Sequence, residues 1–429
     1  MPAHPTFREA LRFWLKLGFI SFGGPTGQIA IMHTELVDRK KWIGEERFLH
    51  ALNYCMLLPG PEATQLATYC GWLLHGMWGG IVAGALFVLP SAFLLWGLSY
   101  AYAAHGTVPW VAAIFHGLKP AVTAIVAVAV IRIGRRALKD AAMWALAGAA
   151  FLAIFFFHVP FPAIVVGAAV IGLASFRRGR GDSGFPTEKA CDHREGGAAA
   201  LRPTWRRAAQ VLLISLVLWW APVIVAGWWQ GWDGVLVREG VFFSKAAMVT
   251  FGGAYAVLPY VGQQAVEHHG WLTASQMLDG LGLAETTPGP LIMVVQFVGF
   301  LGGWNQPGTL GPLAMATLGA LITTWTTFVP CFLWIFLGAP HIEQLRGNLR
   351  LGRALTAVTA SVVGVVLNLA VWFGLHVFFP RSRTLTDVDW FAVVVAGVAC
   401  LAMQRFKVGV VTVVLVSGLV GLGWSFAAR

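Results

Sequence analysis

Two short strings recur in this chain, and both are of a kind that could hold an anion. Phe-Gly-Gly stands at 22–24 and again at 251–253, and Pro-Gly-Pro stands at 59–61 and again at 288–290. Proline removes a helical N–H group and clashes with the preceding turn, and glycine frees the backbone, so these strings interrupt helices. The half-helix after each break offers free N–H groups and a positive dipole end. This chemistry predicts binding of a negatively charged solute.

Ionisable side chains near the breaks are few. Glu62 follows the first Pro-Gly-Pro and Glu285 lies three residues before the second. Both are proton-coupling candidates, because a carboxyl group in a low-dielectric cavity can take up a proton near neutral pH. The alternatives are an N-cap role for Glu62 and a wall hydrogen bond for Glu285. Lys16 and Lys245 precede their glycine pairs, and either attract the anion or snorkel from amphipathic helices at the membrane surface.

We therefore predict a substrate site between the two sets of breaks. Its predicted binding residues are Lys16, Ser21, Gly23, Gly24, Pro59, Gly60, Pro61, Glu62, Thr64, Lys245, Thr250, Gly252, Gly253, Thr287, Pro288, Gly289 and Pro290. The five cysteines and twelve histidines are scattered without metal-ligand spacing, so no catalytic residue, metal or cofactor is predicted. The chain has no P-loop motif, which argues against ATP hydrolysis.

The composition is that of a helical membrane protein. Hydrophobic residues make up 57% of the 429 and charged residues 11%, and the mean hydropathy is +0.70. Soluble domains average about 45–50% apolar and about 25% charged residues. The net charge of +11 is best explained by basic cytoplasmic loops, so no nucleic-acid partner is expected.

The repeated strings belong to an internal duplication with a constant offset of 229 positions. Ten identities fall in one 49-residue window: Phe13, Lys16, Phe22, Gly23, Gly24, Trp42, Leu52, Pro59, Gly60 and Pro61 recur as Phe242, Lys245, Phe251, Gly252, Gly253, Trp271, Leu281, Pro288, Gly289 and Pro290. Further on, Pro90 and Pro330 are 240 positions apart. We assign a first membrane repeat at 1–176, a cytoplasmic linker at 177–205, a connecting transmembrane helix at 206–235 and a second membrane repeat at 236–429.

Basic residues predict opposite orientations for the two repeats. The segment DRKKW (38–42) is basic, as is the linker, whereas its counterpart EHHGW (267–271) is not. Because Lys and Arg favour the cytoplasmic side, equivalent loops should face opposite sides of the membrane. The predicted fold is an all-α polytopic membrane protein with two inverted-topology repeats, about nine full spans and four broken, re-entrant segments. The N-terminus is expected in the cytoplasm. A single Pro-Gly-Pro is usually a kink, but paired breaks in inverted repeats indicate a transporter's substrate site.

These motifs resemble the chromate ion transporter family in its long-chain, two-domain form. The resemblance rests on SFGGP (21–25), ELVDRKKW (35–42), LLPGPEATQLATYCGW (57–72), TFGGAYAVLPYV (250–261) and TTPGPL (286–291). It implies export of chromate, a divalent oxyanion, across the bacterial inner membrane by proton-coupled antiport. The partners it implies are chromate, sulfate as a competitor and protons, alongside membrane lipids, with a homodimer left open.

Two alternatives stay open on the residues alone. Within the same class, the solute could be sulfate or another oxyanion. From a different class, a membrane-embedded enzyme or lipid-handling protein could use the same re-entrant cavity. Repetition favours transport, because the helix breaks occur in both halves and no acid–base cluster does.

Overall fold

A computed structural model describes residues 4–22, 24–175, 205–251, 253–339, 349–380 and 385–427. This part of the chain is helical throughout and contains no strand. The predicted linker at 177–205, apart from Trp205, lies outside the described residues, as do the predicted site residues Gly23 and Gly252.

Sixteen α-helices are present in the described ranges. They are α1 (Phe7–Ile20), α2 (Gly24–His33), α3 (Glu45–Cys55), α4 (Glu62–His105), α5 (Pro109–Ala137), α6 (Ala141–Phe157), α7 (Phe161–Ser175), α8 (Trp205–Gln230), α9 (Val235–Val249), α10 (Ala254–Gln263), α11 (Ala274–Thr286), α12 (Val294–Asn305), α13 (Pro312–Gly338), α14 (Leu349–Phe378), α15 (Trp390–Arg405) and α16 (Val410–Ala427). Two π-helical segments, Thr34–Arg39 and Gln264–His268, and two 3-10 turns, Leu291–Met293 and Leu385–Asp387, complete the described elements.

Helix lengths divide the elements into spanning and short classes. Six helices, α4, α5, α8, α13, α14 and α16, are long and apolar enough to cross a membrane. Four apolar helical stretches are shorter: Ala141–Phe157, Phe161–Ala174, Leu291–Asn305 and Trp390–Arg405. The helices beside the Gly-Gly breaks and before the Pro-Gly-Pro breaks have 10 to 15 residues, fewer than the roughly 20 that a span needs. The prediction of an all-α polytopic membrane protein is confirmed.

The two halves repeat the same series of elements, with α8 between them. In the first half, α4 corresponds to both α12 and α13, because it contains a sharp break. His75 (φ −138°, ψ 27°) and Gly76 (φ 62°, ψ −150°) leave helical geometry and divide α4 into 62–74 and 77–105. The π-helical segments also fall at equivalent places. A repeated Ala-Val-Thr-Ala at 121–124 and 357–360 extends the duplication into α5 and α14.

The chain turns back at each Phe-Gly-Gly string. In the first half, the ring of Trp42 beyond α2 returns to within 5.5 Å of Phe13 on α1. The equivalent rings of Trp271 and Phe242 are 5.7 Å apart. The identities Phe13/Phe242 and Trp42/Trp271 are therefore explained by one packing contact made twice, at the base of each helical hairpin.

The chain also turns back at each Pro-Gly-Pro string. Tyr54, before the first break, and Tyr69, after it, have ring centroids 6.1 Å apart. Across the second break, Gly280 on α11 packs against Phe297 on α12 so closely that a Cβ on the glycine would overlap the ring. Side-by-side packing of residues on both sides of a break requires a hairpin rather than a continuous helix. The described residues thus form four helical hairpins, which turn at the positions of the four repeated strings.

Candidate functional site

The four hairpin tips lie around one cavity and bind one another reciprocally. The backbone N–H of Gly60 donates to the carbonyl of Thr250 over 2.7 Å, and the N–H of Gly289 donates to the carbonyl of Ser21 over 2.8 Å. Gly289 is the counterpart of Gly60, and Thr250 is the counterpart of Ser21. Each repeat therefore gives the other the same contact that it receives, which is the mark of a two-fold relationship.

Glycine is required at these tips by space and by conformation. Gly60 and Gly289 have φ values of +122° and +100°. A Cβ on Gly60 would lie 3.1 Å from the sulfur of Cys331, and one on Gly289 would lie 2.5 Å from the Cβ of Ser91. Ser91 and Cys331 follow the equivalent prolines of α4 and α13, so this packing is reciprocal as well.

A small, partly open cavity lies among the tips. All four breaks contribute to its wall, which is formed by Pro25, Gln28, Pro61, Glu62, Ala63, Ala254, Pro290, Leu291 and Ile292. In this conformation its free space is about that of one water molecule.

Helix N-termini converge on this cavity. The helices α2, α4 and α10 begin at Gly24, Glu62 and Ala254, and the turn leading into α12 begins at Leu291. The first backbone N–H groups of a helix have no partner within it, and the dipole makes this end positive. The cavity wall can therefore donate several hydrogen bonds to oxygen atoms of an anion.

Glu62 carries its carboxylate into this cavity from the first turn of α4. The residue is only 9% exposed. One carboxylate oxygen lies 3.9 Å from the position that a Cβ on Gly253 would occupy, so it reaches a break of the other repeat. No described residue donates a hydrogen bond to it or forms an ion pair with it. The N-cap role considered from the sequence is not observed, because Pro61 occupies the N-cap position of α4 and no side chain caps this helix.

Gln28 is a cavity residue that sequence reasoning missed. It is 1% exposed, and its Nε2 donates to the carbonyls of Gly289 and Ser21. Two carbonyl partners fix which end of the amide carries nitrogen, because only that end can donate. Its Oε1 is buried and has no partner among the described residues. The second repeat has Val257 at the equivalent place, so no repeated motif marks this position.

Glu285 lies next to the cavity without lining it. The Tyr255 hydroxyl, in the first turn of α10, donates to Glu285 Oε1 over 2.6 Å. Glu285 is 5% exposed. This contact is the wall hydrogen bond considered from the sequence, and the proton-coupling role of Glu285 stays a prediction.

The other predicted residues fall into three groups. Pro61 and Pro290 line the cavity, and Gly24, Pro59, Gly60, Gly253, Pro288 and Gly289 form the tips around it. Thr64 is fully buried, whereas the hydroxyls of Ser21, Thr250 and Thr287 donate to carbonyls of their own helices. Lys16 and Lys245 are exposed on the outer faces of α1 and α9 and do not line the cavity. Their role in attracting an anion stays a prediction.

A second buried polar cluster joins the two repeats away from the cavity. The Tyr102 hydroxyl on α4 donates to Asp279 Oδ2 on α11 over 2.8 Å, and Lys119 Nζ on α5 lies 3.7 Å from the same oxygen. Elsewhere, Glu239 on α9 is fully buried, and neither of its oxygens has a partner in the described part of the chain. The burial of such residues could not be predicted, because nothing in the sequence shows which apolar helices will pack against them.

Among the described residues, one group of side chains has ligand atoms close enough together to hold a metal ion. Ligand atoms of His33, Asp38 and Glu45 lie within 4.8 Å of one another near the surface. His33 Nε2 is 2.8 Å from Glu45 Oε2, and Nδ1 is 3.5 Å from Asp38 Oδ2. The hydrogen bond to Glu45 raises the pKa of His33, which favours an imidazolium ion pair. The pair joins the end of α2 to the start of α3 and explains the cluster without a metal.

Comparisons with known proteins identify close relatives. The sequence model of one family, described as Chromate transporter, matches residues 8–173 and 239–422, one stretch in each repeat. The chain is 34% identical over 430 residues to a "Chromate transport protein" of Pseudomonas aeruginosa, covering 98% of this chain and 93% of that protein. It is 26% identical over 422 residues to a protein of the same name from Cupriavidus metallidurans, covering 97% and 93%.

A shorter relative corresponds to a fraction of this chain. An "Uncharacterized transporter YwrB" of Bacillus subtilis is 31% identical over 139 residues, which are 32% of this chain and 70% of that protein. No solved structure matches. These similarities and the duplicated architecture with its helix breaks both point to a membrane transporter.

Proposed function

The chain belongs to the chromate transporter family, a family of transporters rather than enzymes, and on this premise we propose that it exports chromate through the cavity between its four hairpin tips. The observation that carries the proposal is that all four breaks line one cavity with helix N-termini. A dianion removed from water needs heavy compensation, because burying even one ion costs several kcal/mol after relaxation. The converging N–H groups offer that compensation at a place shared by both repeats.

We further propose that the protein is a secondary transporter of the bacterial inner membrane that exchanges chromate for protons. Glu62 and Glu285 are the proposed proton-coupling groups, because both lie buried at the tips. Sulfate, which has the shape and charge of chromate, is the proposed competitor and the alternative substrate. Lipids surround the exposed apolar faces of the long helices. A homodimer stays open.

Uptake into inverted membrane vesicles tests this function directly. Vesicles that contain the protein should accumulate radiolabelled chromate, and an imposed pH gradient, acidic inside, should increase the initial rate. Vesicles from cells without the protein are the control. Accumulation of radiolabelled sulfate in vesicles that do not accumulate chromate would assign the protein to sulfate instead. Equal uptake with and without the protein would refute transport of chromate.

We propose an inverted arrangement of the repeats, with the N-terminus and the segment at 38–42 in the cytoplasm. Arg39 and His268 are equivalent and exposed, whereas His269 is stacked on Trp271 at 4.3 Å. In a cysteine-free background, we expect a membrane-impermeant maleimide added to whole cells to label His268→Cys and to leave Arg39→Cys unlabelled. Permeabilised cells supply the control in which both positions react. Equal labelling of the two in intact cells would show that the repeats are parallel.

A further inference from the structure

The proposed anion site contains a carboxylate, which requires an explanation. Glu62 lines the same cavity as the four helix starts, and no described cation or side-chain donor neutralises it. An unpaired carboxylate in a buried place is costly unless something compensates for the loss of water. Here the compensation available is the positive dipole ends of the four helix starts, which would also attract the substrate. The carboxylate and an oxyanion therefore depend on the same positive potential.

The cavity also holds an acceptor without a donor. Gln28 Oε1 is buried, unpartnered and in the cavity wall, and its amide cannot flip, since Nε2 is held by two carbonyls. An oxyanion without a proton cannot satisfy this oxygen, and neither can an ionised Glu62. A protonated Glu62 can, because its O–H is a donor.

Among the described residues, the titratable group coupled electrostatically to Glu62 is the buried thiol of Cys55 on α3. Cys70, Cys331, Tyr255 and Glu285 lie on α4, α13, α10 and α11 and are not coupled to it. The charge of Arg132 on α5 acts on Glu285 and Tyr255 and not on Glu62. Glu62 is thus the one carboxyl group in the cavity wall itself.

We propose that the Glu62 carboxylate is a tethered competitor of the substrate, occupying the anion position in this conformation and leaving it as a neutral acid when an oxyanion enters. The proposal rests on the proposed function and describes how its site is regulated. One proton from the periplasmic side binds one Glu62 oxygen, the acid donates to Gln28 Oε1, and the helix-start N–H groups bind an oxyanion from the cytoplasm. Loss of the proton to the cytoplasmic side returns the carboxylate and displaces the oxyanion to the periplasm, so the two ions move in opposite directions. Anion binding is therefore linked to uptake of one proton by the protein.

Direct binding measurements on the purified full-length protein in detergent test this linkage. Dissociation constants for radiolabelled chromate are compared between wild type and Glu62→Gln from pH 6 to pH 9. At each pH we take the ratio of the wild-type dissociation constant to that of Glu62→Gln. Protonation of chromate affects both constants equally and therefore does not change this ratio. We expect Glu62→Gln to bind more tightly than wild type at high pH, with the ratio changing by about tenfold per pH unit where Glu62 is ionised in the free protein. The control Glu239→Gln changes another buried, unpartnered carboxyl group outside the cavity wall and should leave the ratio flat.

A second variant tests occupancy of the position. Glu62→Ala leaves a space where a small carboxylate from solution can bind, so formate should compete with chromate for this variant and not for wild type. A flat ratio between wild type and Glu62→Gln, with no effect of formate on Glu62→Ala, would overturn the proposal while chromate binding and the proposed function stand. Failure of wild type to bind chromate at any pH would overturn both.

Discussion

Gly24→Leu/Gly253→Leu should abolish chromate transport while the protein still inserts and folds. A Cβ on Gly24 would meet no atom within 4 Å, and one on Gly253 would meet only Glu62 Oε1, at 3.9 Å. Both side chains would therefore extend into the open space beside the cavity, where backbone must approach the anion. We expect transport in vesicles to fall by at least about a hundredfold, since even a small displacement of positioning groups can cost that much.

The backbone at these positions needs its own control. Gly24 and Gly253 have φ values of +69° and +92°, and a side chain in the left-handed region costs roughly 1–2 kcal/mol. Gly308, in the loop between α12 and α13, has φ +55° and equally open surroundings, but lies away from the tips. Gly308→Leu should therefore match the backbone strain of each substitution and transport normally. Normal transport by the double variant, at wild-type expression, would show that the breaks are only kinks.

The positions of the breaks could be predicted because their cause is local. Glycine and proline interrupt a helix wherever they stand, and the repetition at 229 positions separated these strings from the many other glycines. What the strings do together could not be predicted, since the hydrogen bond from Gly60 to Thr250 depends on how two distant hairpins dock. Gln28 was missed for the same reason. Its partner Gly289 is 261 positions away, and its counterpart is a valine.

The sequence analysis left two roles open for Lys16 and Lys245. The spacing of apolar residues along their helices does indicate which face each lysine occupies. On α1 the buried residues are Ala10, Phe13, Trp14, Leu17 and Gly18. This spacing defines one face of a helix, and Lys16 falls opposite to it. On α9, Ser244 and Ala246 are buried, and Lys245 between them lies on the exposed face. The exposed ammonium groups favour the snorkelling interpretation, and positive potential within the cavity then comes from the helix starts.

The two repeats are also joined by a buried ion pair, and breaking it from one side should destabilise the protein more than removing it whole. Asp279 is 4% exposed at its side chain and Lys119 is 25% exposed, and their 3.7 Å separation is longer than a tight hydrogen bond. The short contact, 2.8 Å, comes from the Tyr102 hydroxyl. Oδ1 of Asp279 has no partner in the described ranges. Among the described residues, Lys119 is thus the cation that pairs with Asp279.

Lys119→Met should lower the free energy of unfolding by about 3–5 kcal/mol, because it leaves a buried carboxylate without its cation. Lys119→Met/Asp279→Asn should recover most of this loss, since a buried ion pair replaced by neutral groups of similar size is often neutral in stability. Tyr102→Phe should cost about 1–3 kcal/mol through one unsatisfied acceptor. Denaturant titration of the detergent-solubilised protein, followed by tryptophan fluorescence, measures all three.

The control is Arg39→Met, which breaks the surface pair with Glu35 and should cost less than about 1 kcal/mol. If Lys119→Met costs no more than this control, Asp279 carries no charge in the folded protein, and the tyrosine hydroxyl alone holds α4 against α11.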